Sequence, residues 1–95
     1  VKIGFTSRAL RQMRVAGAWW RRNRHKSPNA LEDEIDRALL LLSSHPLSGP
    51  PVRARPGVRK IELLVTGYHL YYRVVNGAIQ ILGLWHARRG SKPRL

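Results

Sequence analysis

Residues 56–89 read PGVRKIELLVTGYHLYYRVVNGAIQILGLWHARR. Three apolar runs are separated by two short turn words, Thr66-Gly67 and Asn76-Gly77. Asn-Gly between aromatic-rich or alternating runs marks a tight hairpin, because both central positions of a type I′ turn need positive φ. The stretch therefore predicts a three-stranded antiparallel meander over Val58–Val65, Tyr68–Val75 and Ala78–Trp85. Ile61, Leu63 and Val65 alternate with Lys60, Glu62 and Leu64 on the first strand. Tyr68, Leu70, Tyr72 and Val74 alternate with His69, Tyr71, Arg73 and Val75 on the second. The third is apolar on both faces, as an interior strand is, with Trp85 expected in the core. It runs into a cationic tail, His86-Ala87-Arg88-Arg89.

Upstream of the meander lies SSHPLSGPPVRARPG, residues 43–57, a Pro- and Gly-rich ordered loop. Arg53 and Arg55 project from it, and His45 fits a helix C-cap. Two helices precede the loop. The first runs from Arg8 to about His25, with Ser7 as N-cap and Leu10, Met13, Gly17 and Trp20 as its apolar stripe. Gly17 marks close approach of a neighbour, and Trp19, on another face, is an exposed contact candidate. The cations of residues 21–26 complement the negative end of the helix dipole, or else form a nucleic-acid patch. Asn29 and Glu32 have capping-box spacing for a second helix, whose stripe is Leu31, Ile35, Ala38, Leu39 and Leu42. Glu32, Asp33, Glu34 and Asp36 crowd its first turns, where helix electrostatics explain them without a metal site. At the start, Val1, Ile3 and Phe5 alternate with Lys2, Gly4 and Thr6, a short strand. Val1 is not an initiator methionine, so residues are expected to precede it.

The fold expected is α+β: an N-terminal strand and a helical hairpin packed on a mainly antiparallel sheet of about four strands. Residues 1–95 are expected to form one domain, since a chain of this size buries roughly 60–65% of its extended surface. Cysteine is absent, which removes disulfides and thiolate metal sites and fits a reducing cytoplasm. No apolar run approaches the ~20 residues of a membrane span. Eighteen Lys and Arg against five acids give a formal charge of +13. Such a field favours an acidic partner, either nucleic acid or an acidic protein.

The order of elements resembles the RelE/ParE superfamily of toxins from type II toxin–antitoxin modules. Its local words are similar to those of ParE-type plasmid-stabilisation toxins: His45-Pro46 with Gly49-Pro50, Pro56-Gly57-Val58-Arg59, Tyr71-Tyr72-Arg73-Val74, and Ile79 to Leu84 leading to His86-Ala87-Arg88-Arg89. The resemblance implies a cytoplasmic toxin with no cofactor or metal. Its partner would be an antitoxin with an acidic, flexible C-terminal segment that folds on binding. It implies one of two targets. ParE-like members poison DNA gyrase; RelE-like members cleave mRNA on the ribosome. RNA cleavage by 2′-OH attack needs a base, an acid and cations over the phosphorane. Lys60, Glu62, His69, Arg73, His86, Arg88 and Arg89 supply the candidate groups. The long hairpin and the sparse cations on the sheet face favour the gyrase branch. Candidate target or antitoxin contacts are Trp19, Arg59, Arg73, His86, Arg88 and Arg89. Each has a plainer role to set against it: Arg59 and Arg73 pairing with Glu62, His86 terminating its strand, the tyrosines packing. A non-catalytic basic nucleic-acid-binding module is the alternative outside the toxins.

Overall fold

The computed structural model describes residues 1–88 and Leu95. Its elements are β1 (Ile3–Phe5), α1 (Ser7–Asn23), α2 (Ala30–Ser44), β2 (Arg59–Leu63), β3 (Tyr68–Val75) and β4 (Ala78–His86). The strands form one mixed sheet in the order β1-β4-β3-β2. The meander β2–β3–β4 is antiparallel, and β1 pairs parallel to β4 with Ile3 opposite Ile79. Asn76 and Gly77 both take positive φ, 51° and 77°, and close the β3–β4 hairpin as their residue types require. This is the α+β architecture the sequence implies.

The helices cover one face. Ala9, Ala16 and Trp20 from α1 and Leu31, Ile35, Ala38 and Leu42 from α2 meet Leu63, Leu70, Tyr72, Ile79, Ile81 and Leu84 of the sheet. A smaller cluster of Val58, Tyr71 and Leu82, with Val52, Trp85 and Leu95 against it, lies on the other face. Trp85 is thus half-buried on the far side, not in the main core. A register shift in the β3–β4 pairing lets Tyr71 oppose Gly83 and Tyr72 oppose Ile81, leaving Leu82 as an extra residue in β4.

Four local expectations are corrected. The N-cap of α1 is Thr6, not Ser7: the Thr6 hydroxyl accepts from Ala9 N–H at 3.0 Å. The face laid on the sheet runs through Ala9, Met13, Ala16 and Trp20, and Leu10 is 50% exposed. Leu10 sits one residue, about 100°, round the helix from Ala9, and the two small alanines let the backbone approach the sheet. Asn29 precedes α2, but its side chain makes no cap bond, its backbone at φ −102° and ψ 7° being off the extended geometry of an N-cap, and Glu32 pairs with Arg21. That ion pair bridges the helices beside Gly17, where an added Cβ would stand 3.5 Å from the Arg21 guanidinium. Finally, β2 stops at Leu63, two residues short of the expected Val65. The Val65 and Thr66 N–H groups turn away from β3 to the Glu34 carboxylate on α2.

The Pro/Gly loop is pinned from the core. The Tyr72 hydroxyl donates to Pro46 O at 2.8 Å and accepts from Gly49 N–H at 2.9 Å. Arg59 donates to Gly49 O at 2.8 Å. His45 closes α2 through its backbone N–H on Leu41 O.

Candidate functional site

A groove of about 850 Å³ opens between α1, the β2–β3 turn and the end of β4. Its α1 wall carries Val15, Ala16, Trp19 and Trp20. The opposite lip is the turn 64–67, and the floor runs through Tyr68, Leu84, Trp85 and His86. Leu64 and Val65 on the lip are 85% and 72% exposed, and Trp19 is 40% exposed. Arg11, Arg24 and Arg88 edge this apolar surface, and among the described residues no acidic side chain lines it. The groove therefore suits a segment that is apolar on one side and anionic on the other.

Each wall has a physical cause. Trp20 is anchored by its Nε1 donating to Ser27 O at 2.9 Å, which fixes the end of α1. Its neighbour Trp19 then points elsewhere, as adjacent helical residues must. The Arg24 guanidinium lies 5.2 Å from the Trp19 ring and 5.5 Å from the Trp20 ring. It holds a cation at the groove while limiting the indole's freedom. β4 loses its strand neighbour once β1 ends at Phe5, and α1 takes over. Thr6 N–H donates to Ile81 O at 3.0 Å, and Gln12 Oε1 accepts from Leu84 N–H at 2.9 Å.

The lip is set by Glu34. This buried carboxylate accepts from Val65 N–H (2.9 Å), Thr66 N–H (3.0 Å) and the Thr66 hydroxyl (2.7 Å). Three donors satisfy it without a cation, which is how a buried carboxylate is tolerated. At the base of the groove, the His86 ring stands edge-on to Tyr68, with centroids 4.9 Å apart. Its Nδ1 accepts from Arg88 N–H at 3.1 Å, folding the chain after β4.

A model of the ParE toxin of type II toxin–antitoxin systems (parDE) matches residues 3–90. The chain belongs to this family. No curated protein sequence matched it. Solved structures of the same fold include the chromosomal ParDE system of P. aeruginosa, at TM-score 0.80 and 19% identity, covering 93% of this chain and 97% of that one. The intact E. coli RelBE toxin–antitoxin complex follows at TM-score 0.69 and 22% identity, covering 93% and 98%. A YoeB/ParE toxin from Agrobacterium tumefaciens gives 0.65 and 13%, covering 90% and 98%. At these identities the structures show the fold, and the family match carries the assignment.

Within this ParE-family chain, the groove brings together Trp19, His86 and Arg88. Arg89 lies outside the described residues. Arg59 and Arg73 are elsewhere, and neither pairs with Glu62. Arg59 bonds the loop carbonyls of Leu47 and Gly49, and Arg73 donates to Gln80 Oε1 at 2.7 Å. Glu62 stands opposite His69. Cross-strand partners share a face, so Lys60, Glu62, His69, Tyr71 and Arg73 all lie on the face away from the helices. His86, paired with Tyr68, lies on the helix side. The candidate ribonuclease groups are thus divided by the sheet. His69 is pushed below its ordinary pKa, first by burial and then by the Lys60 charge, with Glu62 opposing and His86 adding slightly. It therefore stays neutral at pH 7 and brings no positive charge to that face. Burial raises the Tyr71 phenol, so it too remains neutral.

Sequence reasoning missed Gln12, Arg24 as an aromatic clamp, the lip Leu64-Val65, and Glu34. Two of these left signals. Leu63-Leu64-Val65 breaks the period of two, so one face must expose an apolar residue. Glu34 falls three residues after Leu31, inside the buried stripe of α2.

Proposed function

We propose that this type II toxin is neutralised by an antitoxin segment seated in the groove, and that it acts in the cytoplasm by poisoning DNA gyrase. The observation that carries the first part is the apolar groove edged by Arg11, Arg24 and Arg88 and lined, among the described residues, by no acid. An acidic amphipathic segment buries its apolar side on Trp19, Val15 and Val65 and presents carboxylates to the arginines. The gyrase target is favoured over mRNA cleavage by the division of the acid, base and cation candidates between two faces. General acid–base chemistry needs them within hydrogen-bond reach of one phosphate.

A supercoiling and cleavage-complex assay with purified toxin, beside a translation reaction probed for mRNA cuts, tests the target. Trapped gyrase–DNA breaks with intact mRNA are expected. Ribosome-dependent cuts with normal gyrase would overturn the proposal.

Trp19→Ala should weaken binding of the cognate antitoxin segment by about 2 kcal/mol, some 30-fold, as loss of a buried aromatic anchor does. Calorimetric titration would show it, and a change below threefold would remove Trp19 from the interface. Arg88→Ala combined with Arg89→Ala should reduce toxicity in growing cells and leave the circular dichroism spectrum unchanged. Full toxicity in the soluble double variant would exclude the tail from target contact.

A further inference from the structure

A second charged surface adjoins the groove along helix α1. Helix α1 carries Arg8, Arg11, Arg14, Arg21 and Arg22 and no acid. At about 100° per residue, Arg21, Arg14, Ser7, Ala18, Arg11 and Arg22 fall in succession across the side turned from the sheet, with Arg11 at the edge of the groove. Arg21 is held by Glu32, the single ion pair among the described residues. Arg11, Arg14 and Arg22 are exposed. The other exposed helix acids, Asp33 and Asp36, sit on α2 and make no ion pair with them among the described residues. The result is a convex ridge of cations spanning about 16 Å from Arg11 to Arg22 at 1.5 Å per residue.

We propose that this ridge binds the phosphate backbone of duplex nucleic acid, without sequence preference. Three features point to that partner. The side chains are arginines, whose planar fork matches phosphate oxygens. The ridge has no concavity and holds only Ser7 and Ala18 between its arginines. It therefore lacks the apolar pockets that a folding peptide needs and the apolar face that a bilayer helix inserts. A bare helix of about 10–12 Å diameter also fits against a duplex groove about 12 Å wide. A duplex presents one charge per ~1.7 Å of axis, so each arginine along the ridge meets a phosphate without any particular register. Arg14 and Arg22 lie outside the groove and Arg11 is shared with it, so a filled groove leaves two of the three contacts open to the duplex.

The test is fluorescence anisotropy of a labelled 20-base-pair duplex against the purified protein over a series of salt concentrations. With about three phosphates neutralised, log K should fall against log salt with a slope near −2.7, at about 0.9 per contact. Arg14→Gln with Arg22→Gln should flatten the slope by about 1.8. Arg53→Gln with Arg55→Gln removes the same charge from the loop and should change the slope by less than about 0.5 if the contacts are local. Equal flattening in both double variants would show only a diffuse field and overturn the proposal. Absence of duplex binding at low salt would overturn it too, as would tighter binding to vesicles of anionic lipid than to the duplex.

Discussion

Glu34→Ala should cost about 3 kcal/mol, because it orphans three donors at once and each buried unsatisfied group costs about 1–3 kcal/mol. The donors are Val65 N–H, Thr66 N–H and the Thr66 hydroxyl, and Thr66 is buried. Water relieves the Val65 N–H in part, since its residue is exposed. In a domain of this size each kcal/mol lowers Tm by roughly 4–8 °C, so a fall of roughly 12–24 °C is expected. Glu34→Gln should lose about half as much. Its carbonyl keeps the Thr66 bonds at Oε1, while its amide meets the Val65 N–H donor to donor. The same variants should expose the Val65 and Thr66 amides to hydrogen exchange while those of β3 stay protected. A loss below about 1 kcal/mol for Glu34→Ala would show that water replaces the carboxylate freely.

Gly49→Ala should be comparably severe for a different reason. An added Cβ would stand 2.7 Å from Lys60 O, 2.7 Å from the Tyr72 hydroxyl and 2.8 Å from Tyr72 Cε1. Gly49 does not take positive φ, so backbone preference is not at issue; the cost is overlap. The Lys60 carbonyl belongs to β2 and cannot move without its strand, and overpacking of this kind costs about 1–3 kcal/mol. The displaced loop also gives up the Gly49–Tyr72 bond, adding about 1 kcal/mol. Urea unfolding of Gly49→Ala, Tyr72→Phe and the double variant forms a cycle. Tyr72→Phe removes one clashing atom, so the double variant should be at least about 0.5 kcal/mol more stable than additivity gives. Strict additivity would mean that the loop, not the tyrosine, absorbs the alanine.

The meander was legible because its signals are local. Asn76-Gly77 dictates a turn by its dihedrals, and the strands on either side follow by alternation. Helix existence was legible too, but helix phase was not. Ala9 and Leu10 compete for the same face by hydropathy, and the outcome turned on how closely the α1 backbone nears β4, which only the assembled sheet decides. The end of β2 was set by Glu34, thirty residues upstream, through a contact no local pattern encodes. The candidate site fared unevenly for the same reason. Trp19 stood out because its neighbour Trp20 had to be inside. Arg59 resembled a binding residue until the loop carbonyls of Leu47 and Gly49 were seen to occupy it. The ribonuclease candidates looked like a set in the sequence and were parted by strand parity alone.

The parallel pairing of β1 with β4 has a consequence for synthesis. Among the described residues β1 pairs with 79–81 alone, more than seventy positions later, and such distant closure is slow. A nascent chain that has emerged only as far as β3 holds both helices without the strand on which α1 lies. The groove also lacks its floor until Leu84, Trp85 and His86 have been made. The capacity to bind through that groove therefore arrives abruptly, with the final few codons of β4, and a chain stalled or truncated before them should be inert and readily degraded.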